Sequence, residues 1–339
     1  MKNTIWYISK YANISLYGAD TRQSIFCIQF AKKGHHVKLI TSNSSHLYSD
    51  LPKFSGPYLD MQHRGVDVTW VNTIKYENPR SLKRILSWLL FEILVISMCF
   101  NRKYKKPDIV IASSLSLLSV LSGAFFKKFY KSKFIFEVRD IWPKTLIDIG
   151  NISPRNPLIW VLRKIEHFGY RYADRIVGTI PGLNIYVDEQ VGLGSKVEYI
   201  PQGVDLHFYL NEQKKLPPEY QKKYIPNDKF LVTYTGSFGV ANALEYIIDA
   251  AAILIQKDRN SNVHFLLVGD GASKKSLVLR AQNLKNITFA PVLNKDQVQN
   301  VLSMSDLLVS SVRDESLYNY GMSPNKFIDY MYSDYMYMY

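Results

Sequence analysis

Residues 320–331 of the 339-residue chain read YGMSPNKFIDYM and follow an apolar, strand-like run at residues 307–310. Gly321 and Ser323 are residue types of loops and helix caps. Pro324 suits the first position of a helix, because it has no N–H that would be left unpaired there. The stretch therefore predicts a strand, a loop and the start of a helix.

Lys326 and Asp329 are three residues apart, so the predicted helix places them on one face. The start of such a helix offers free N–H groups, a positive dipole end, a cation and a carboxylate. This combination suits a phosphate joined to a hydroxyl-bearing sugar. The alternative is an ordinary strand–loop–helix corner that carries a solvated lysine.

Length and composition predict two domains and an anionic partner. The chain is 47% hydrophobic, which is typical of a folded protein and excludes a disordered or multispanning one. Its 42 Lys and Arg against 29 Asp and Glu give a formal charge of +13, which favours a nucleotide, a nucleic acid or an acidic membrane surface. The two cysteines, Cys27 and Cys99, show no disulfide or metal-ligand spacing and predict a reducing compartment.

Short apolar strands alternate with helices along both halves of the chain. The first half has strand-like runs at residues 5–8, 37–40, 66–71, 108–112 and 134–138. The pattern restarts at residues 230–235, and Asn242 is a candidate cap for the helix that follows. This alternation predicts an α/β protein with two Rossmann-like, open parallel-sheet domains that face a cleft. A Lys-, Pro- and Asn-rich stretch at residues 211–229 predicts the hinge.

Residues 85–100 form an apolar run of 16 residues that contains Glu92. A membrane-spanning helix needs about 20 apolar residues, so this one is too short to span a bilayer. Basic residues flank it at positions 80–84 and 102–106, and Trp88 lies within it. These features predict a helix that lies in the interface of an anionic membrane; a buried helix packed on the sheet is the alternative.

Residues 136–143 read FEVRDIWP and place Arg139 and Asp140 directly after a strand. Ligands bind at the carboxyl edge of open α/β sheets, so both side chains are candidates for a catalytic role. A structural Arg–Asp ion pair is the alternative.

Several common sites are excluded. Gly269-Asp270-Gly271 lacks the third glycine of a dinucleotide fingerprint, and the chain has no phosphate loop that ends in Gly-Lys-Ser or Gly-Lys-Thr. The seven histidines are not paired at metal-ligand spacing, and no Asp-x-Asp occurs. The sequence therefore predicts no metal and no cofactor. The glycine loop Gly236-Ser237-Phe238-Gly239 can still bring backbone N–H groups to a phosphate.

Six segments carry a resemblance to a known family. They are FEVRDIWP at 136–143, Glu166 with YADRIV at 172–177, YIPQGVD at 199–205, YTGSFG at 234–239, LVGDG at 267–271 and YGMSPNK at 320–326. In this order they resemble the family 4 glycosyltransferases of bacterial surface polysaccharide assembly, in the fucosyl- and fucosaminyl-transferase-like branch.

The resemblance implies a GT-B fold, with an acceptor-side domain at residues 1–200 and a donor domain at residues 201–339. It implies a retaining, metal-independent transfer from a UDP- or GDP-linked sugar to a lipid-diphosphate-linked saccharide, in capsule, O-antigen or exopolysaccharide synthesis. The enzyme would be cytoplasmic and peripheral at the inner face of the cytoplasmic membrane. Nucleic acid is not an expected partner.

The resemblance also assigns residues. Asp329 matches the second acid of the family's paired-glutamate motif and would hold the donor ribose, whereas the first acid falls on Gly321. Many members have a basic residue after the glycine loop, where this chain has Val240-Ala241-Asn242. The donor set is Gly236, Ser237, Gly239, Ser323, Asn325, Lys326 and Asp329. The catalytic candidates are Arg139 and Asp140, and the acceptor-side candidates are Gly18 and Arg22.

Residues 329–339 become a Tyr/Met repeat with neither helical periodicity nor strand alternation. Relatives continue here with a further strand and a long helix, so the sequence predicts a truncated donor domain that lacks a strand neighbour. Two alternatives to an active glycosyltransferase follow: an inactive, membrane-associated relic, and a sugar-nucleotide epimerase of the same fold.

Overall fold

A computed structural model describes residues 2–45, 47–48, 50–76, 81–333 and 337–338. The chain divides into two compact units. Unit 1 comprises residues 1–203 and 316–323, and unit 2 comprises residues 204–315 and 324–339. The boundary near residue 203 lies close to the predicted domain limit at 200/201, but the return of residues 316–323 to unit 1 has no counterpart in the prediction.

Unit 1 is built on one sheet whose described strands follow the order β3-β4-β2-β1-β5-β6-β7-β8. The strands are β1 (Thr4–Ile8), β2 (His36–Ser42), β3 (Tyr58–His63), β4 (Val66–Val71), β5 (Ile109–Ser113), β6 (Lys133–Val138), β7 (Arg175–Gly178) and β8 (Val197–Tyr199). All neighbours pair in parallel except β3 and β4. The sequence prediction missed β3, because an antiparallel edge strand need not be apolar on both faces.

The helices of unit 1 pack on both faces of this sheet, as the βαβ rhythm requires. They are α1 (Arg22–Lys32), α2 (Leu82–Ser97), α3 (Ser119–Tyr130), α4 (Lys144–Asp148), α5 (Pro157–Tyr172) and α6 (Leu183–Val191). The central strand β1 is buried along its whole length. The carboxyl edge of this sheet therefore presents the loops that begin at residues 9, 43, 114 and 139.

The segment 316–323 packs into the core of unit 1. Leu317 is buried among residues of β6, α5 and α6. The Gly182 N–H donates to the Tyr320 carbonyl at 2.7 Å, and the Tyr320 ring packs edge-on against Tyr186 with centroids 5.1 Å apart. Gly321 has a φ of +85°, and a Cβ there would lie 3.1 Å from Pro181. The acid expected at this position in relatives would therefore strain the backbone and crowd the proline.

Unit 2 contains a parallel sheet with described strands in the order β11-β10-β9-β12-β13. They are β9 (Phe230–Thr235), β10 (Val263–Val268), β11 (Ile287–Ala290), β12 (Leu307–Val309) and β13 (Tyr337–Met338). Its helices are α7 (Leu206–Asn211), α8 (Pro218–Tyr224), α9 (Glu245–Lys257), α10 (Lys274–Arg280), α11 (Lys295–Leu302) and α12 (Asn325–Tyr332). Each unit is thus built on an open sheet whose strands are mostly or wholly parallel, and this confirms the predicted α/β fold class.

Two sequence interpretations of unit 2 are wrong. Residues 211–229 are not a hinge, because this stretch contains α8 and buries Leu216 and Ile225 in the core of unit 2. The Tyr/Met-rich end is not structureless, because α12 runs to Tyr332 and β13 pairs in parallel with β12. The strand neighbour expected to be missing is thus present for two residues. Tyrosines occur in both helices and strands, so the Tyr/Met repeat did not allow the end of α12 or the strand β13 to be predicted.

Candidate donor site in unit 2

The glycine loop Gly236–Gly239 follows β9 and is held by backbone bonds on both sides. The Gly236 N–H donates to the Val268 carbonyl at 3.0 Å, and the Phe238 N–H donates to the Asp270 carbonyl at 2.7 Å. Gly236 has a φ of +143°, a conformation that a side chain would strain. Within the described residues, the N–H groups of Ser237 and Gly239 have no protein acceptor. Two donors are therefore available beside the carboxyl end of β9.

Lys326 lies against this loop. Its ammonium donates to the Tyr234 hydroxyl and to Asn242 Oδ1, each at 2.9 Å, and lies 4.2 Å from the centroid of the Tyr234 ring. A Cβ on Gly236 would be 3.5 Å from Lys326 Cε. The structure thus brings together Gly236 and Lys326, which are 90 positions apart in the chain.

The electrostatics of Lys326 are unusual for a lysine. Burial lowers the pKa of Lys326 to about 8. No carboxylate of the described residues lies within 4 Å of its ammonium, so the contacts that hold it are a hydroxyl, an amide oxygen and a ring face. A half-buried cation with neutral partners carries an uncompensated charge, and an anion that binds beside it would restore its pKa.

The start of α12 differs in detail from the prediction. Pro324 is the residue before the helix, with φ −70° and ψ 133°, and Asn325 is the first helical residue. Asn325 is exposed, whereas Ser323 is half-buried in the segment that belongs to unit 1. Neither Pro324 nor Ser323 provides a side-chain cap. Among the first N–H groups of α12, that of Phe327 donates to the Pro324 carbonyl at 3.2 Å.

Asn242 was predicted to cap α9, and the structure gives it another place. It ends a short 3₁₀ turn (Val240–Asn242), and the residue before α9 is Leu244. Its amide donates to the Ser237 carbonyl at 3.0 Å while its Oδ1 accepts from Lys326. Asn242 therefore links the loop to the lysine instead of capping the helix.

Ser311 and Arg313, which follow β12, both contact the 3₁₀ turn at Val240–Asn242. The Ser311 hydroxyl donates to the Asn242 carbonyl. Arg313 Nε donates to the Val240 carbonyl at 3.0 Å, and its Nη2 pairs with Glu245 at 3.0 Å. A basic side chain thus lies beside the 3₁₀ turn even though residues 240–242 contribute none.

Asp329 is buried and already has three hydrogen bonds to its carboxylate. Oδ1 accepts from the Tyr209 hydroxyl at 2.7 Å and from Lys295, and Oδ2 accepts from Lys295 at 2.5 Å. Its backbone carbonyl accepts from Gln299 Nε2 at 3.0 Å. The structure therefore joins Asp329 to α7 and α11, on a set of contacts separate from those of Lys326.

Arg139 and Asp140 lie after β6 in unit 1, as predicted. Both are half-buried, and the Arg139 N–H donates to the Ser114 hydroxyl at 2.9 Å. Burial raises the pKa of Asp140, an effect that the nearby Arg139 charge opposes. Within the described residues, the buried Nε of Arg139 has no hydrogen-bond partner. The simple ion-pair alternative gains no direct support, because no Arg139–Asp140 contact within 4 Å occurs there.

The two acceptor-side candidates differ sharply. Gly18 is exposed in a turn with φ +131°. Arg22 is buried: its Nε pairs with Glu137 at 3.0 Å, and its Nη atoms donate to the carbonyls of Ile200 and Pro201. Arg22 thus joins α1 to β6 and to the segment that follows β8. A direct contact with a ligand would require this network to open.

The described residues contain no group of three or more His, Cys, Asp or Glu side chains that could hold a metal ion. In the same part of the chain, no helix combines the length and the hydropathy that crossing a bilayer demands.

The C-terminal part of the chain is similar to a known protein family. Residues 229–335 match the family model described as "Glycosyl transferases group 1". A colanic acid biosynthesis glycosyl transferase of Escherichia coli K12, WcaI, is 21% identical over 290 residues, which is 81% of this chain and 68% of the relative.

Solved structures extend the likeness to the whole fold. A sucrose-phosphate synthase from Thermosynechococcus elongatus superposes with a TM-score of 0.73 at 14% identity, over 99% of this chain and 80% of that one. Anabaena HepE in complex with UDP-glucose gives a TM-score of 0.63 at 11% identity, over 99% and 79%. The chain therefore has the fold of the GT-B glycosyltransferases, and its residues 229–335, most of which lie in unit 2, are similar to a group 1 glycosyltransferase domain.

The contacts that hold the predicted residues in place were not predicted. Tyr234 and Asn242 hold Lys326, whereas Tyr209 and Lys295 hold Asp329. A role for Tyr234 could have been predicted from the sequence, because it is a polar aromatic residue one position before the end of a strand that leads into a glycine loop. Lys295 gave no signal, since it lies 34 residues from Asp329 in a different helix.

Proposed function

We propose that the protein is a retaining, metal-independent glycosyltransferase. It transfers a sugar from a UDP- or GDP-linked donor to a lipid-diphosphate-linked saccharide in the synthesis of capsule, O-antigen or exopolysaccharide. Transfer takes place at the inner face of the cytoplasmic membrane. The relatives support this reading, because WcaI is named for colanic acid biosynthesis and HepE was solved with UDP-glucose.

The observation that carries the proposal is the Lys326 ammonium. It has neutral partners within 4 Å among the described residues, and it lies against a loop with two N–H groups that have no acceptor in that part of the chain. A diphosphate supplies the missing negative charge and accepts from both N–H groups. Gly236, Ser237, Gly239 and Lys326 bind the phosphates, and Ser323 and Asn325 border the same helix start.

Asp329 binds the ribose in this proposal, one helical turn beyond Lys326. Arg139 and Asp140 act at the sugar-transfer step. The acceptor hydroxyl attacks the anomeric carbon from the face that the nucleoside diphosphate leaves and passes its proton to a departing phosphate oxygen, so the configuration is retained, while Asp140 orients the acceptor. Gly18 contacts the acceptor directly. Arg22 acts on the acceptor side through Glu137, since its own guanidinium is occupied.

We place the membrane on one face of α2. Trp88, the expected interfacial anchor, is buried and donates to the Tyr11 hydroxyl at 2.7 Å, so that part of the prediction is wrong. The exposed face is instead a stripe of four side chains spaced three or four residues apart: Leu82, Leu86, Leu89 and Ile93. This spacing aligns them on a single side of the helix.

Charge and shape of this face both suit an anionic bilayer. Phe100, which is 79% exposed, follows α2, and the exposed Lys83 lies next to the first residue of the stripe. Four further cations follow at Arg102, Lys103, Lys105 and Lys106. Each basic residue near an anionic surface contributes about 1 kcal/mol, and salt screens this attraction.

Transfer of radiolabelled sugar to a purified lipid-diphosphate-linked saccharide tests the function. We expect lipid-linked product that forms equally with and without EDTA, and that keeps the anomeric configuration of the donor in NMR spectra. Conversion of the free nucleotide sugar without an acceptor would support the epimerase alternative. Absence of both activities, together with failure to bind UDP or GDP, would overturn the proposal.

A further inference from the structure

Lys295 and Asp329 form an ion pair that joins the first residue of α11 to α12. The ammonium contacts both carboxylate oxygens, with 2.5 Å to Oδ2. The Asp329 side chain is 8% exposed, and that of Lys295 is 40% exposed. The pair thus has a buried acid and a cation on the solvent side.

The two partners of the carboxylate differ in their freedom to move. Tyr209 is buried, and its ring packs on Tyr332 with centroids 4.8 Å apart, while its carbonyl accepts from the Tyr332 hydroxyl at 3.1 Å. Lys295 has a long, flexible stem and is partly in solvent. Of the two, Lys295 is therefore the one that can leave Asp329 without disturbing the core.

The oxygens that Lys295 occupies are those that a ribose would need. A carboxylate accepts about four hydrogen bonds, and three of these are taken here. Two ribose hydroxyls need two acceptor positions, and the side on which Lys295 lies is the side that leads to solvent. Simultaneous binding of Lys295 and the ribose is therefore unfavourable.

We propose that Lys295 competes with the donor ribose for the carboxylate of Asp329 and is displaced from it when a nucleotide binds. This inference rests on the proposed donor site. The displaced ammonium returns to solvent while the ribose hydroxyls donate to the oxygens that it leaves. Lys295 keeps the buried acid neutralised in the meantime, because an unpaired buried carboxylate is costly.

Lysine labelling tests this in the unaltered protein. A short pulse of an acetylating reagent, read by mass spectrometry, should modify Lys295 at least threefold faster when UDP or GDP is saturating. Lys326 should be modified more slowly under the same conditions, because the phosphates cover it. Lys127, which is paired with Asp174 in unit 1 at 2.9 Å, serves as the matched control and should not change.

Binding of two ligands gives an independent measurement. UDP and an analogue that lacks both ribose hydroxyls are titrated into the parent and into the Lys295→Met and Lys127→Met variants. Because the ribose no longer displaces a cation in Lys295→Met, the affinity ratio between the two ligands should rise about tenfold there and stay constant in Lys127→Met. The labelling result does not depend on how well Lys295→Met folds.

Slower labelling of Lys295 in the presence of UDP, or an unchanged ratio in Lys295→Met, would overturn the competition while leaving the donor site intact. Either outcome would mean that Lys295 touches the ligand or is purely structural. If neither UDP nor GDP binds the parent, both this inference and the proposed function fail.

Discussion

The Lys326 ammonium lies over the face of the Tyr234 ring, 4.2 Å from its centroid, and donates to the hydroxyl of the same residue. The two residues come from the first helix turn of α12 and from the end of β9. One tyrosine therefore both holds the lysine beside the glycine loop and leaves its charge uncompensated, since neither a ring face nor a hydroxyl carries a full negative charge.

The Lys326→Ala variant should bind UDP or GDP about ten- to a hundredfold more weakly than the parent, because it loses a charge-assisted bond worth about 1.5–3 kcal/mol. Binding of the free nucleoside should be spared, since it has no phosphate. Calorimetric titration measures both, with Lys127→Ala as the control. Equal losses for nucleotide and nucleoside would show that the lysine only supports the fold.

Nucleotide binding should weaken as the pH rises above about 8. Burial lowers the pKa of Lys326 to about 8, so the free protein loses this charge in a range where ordinary lysines keep theirs. A bound diphosphate favours the protonated form, and binding must then recruit a proton. Titrations from pH 7 to pH 10 should show this step in the parent, and a flat profile is expected for Lys326→Ala. An identical slope in both would assign the step to another group.

The Ile93→Glu and Leu89→Glu variants should lose flotation with anionic liposomes, and the parent should lose it at high salt. Both side chains are exposed, so neither change should unfold unit 1. Leu279→Glu, at an exposed position on α10 of unit 2, is the control. Unchanged flotation in both α2 variants would show that this face of α2 does not bind the membrane.

The Glu166→Gln variant should be more stable than the parent at pH 8, by about 3–8 °C in Tm. Burial raises the pKa of Glu166 to about 8, although the Tyr170 and Tyr186 hydroxyls donate to its Oε1 at 3.0 Å each. Between pH 4.5 and pH 8 the folded state holds a proton that the unfolded chain releases, so stability falls as the pH rises.

Glutamine keeps the acceptor of Glu166 and removes this pH dependence. Thermal melts at pH 5 and pH 8 measure the difference, and Glu198→Gln, at an exposed position on β8, is the control. A Glu166→Gln variant that loses as much stability as the parent between the two pH values would show that the acid is ionised in the fold.

The Gly321→Ala variant should destabilise unit 1 by about 1–3 kcal/mol. Alanine at φ +85° is strained, and its Cβ would crowd Pro181 at 3.1 Å. Gly203→Ala makes a fair comparison, because nothing lies within 4 Å of a Cβ there and its φ is unremarkable. Urea melts followed by tryptophan fluorescence report on the unit, and equal midpoints for the two variants would contradict the assignment.

The sequence was a good guide wherever a pattern is local. Strand β9 was predicted at residues 230–235, which are its observed limits, because a run of apolar and β-branched residues ended at a glycine. Strand β4 was likewise predicted at residues 66–71, which are its observed limits. These signals need no knowledge of distant parts of the chain.

What the sequence did not predict were contacts between residues that are far apart in the chain. Trp88 was read as an interfacial anchor because tryptophan is common there, but its N–H has a buried partner in Tyr11, 77 positions away. The groups that bond to Asp329 were not predicted either, because Tyr209 and Lys295 reach it from α7 and α11. A pattern of residue types cannot report which polar groups are already satisfied, because that depends on helices packed from elsewhere.

The two units are interleaved along the chain, and this limits how the protein can be dissected. Unit 2 is interrupted by residues 316–323, whose Leu317 and Tyr320 are part of unit 1. A gene fragment that stops at codon 203 would lack the Tyr320 carbonyl that accepts from the Gly182 N–H, and it would expose the apolar residues that pack on Leu317. The complementary fragment would carry an orphaned apolar peptide between β12 and α12. Exchange of unit 2 for that of a related chain thus requires two junctions beyond residue 300, in addition to the one at residue 203.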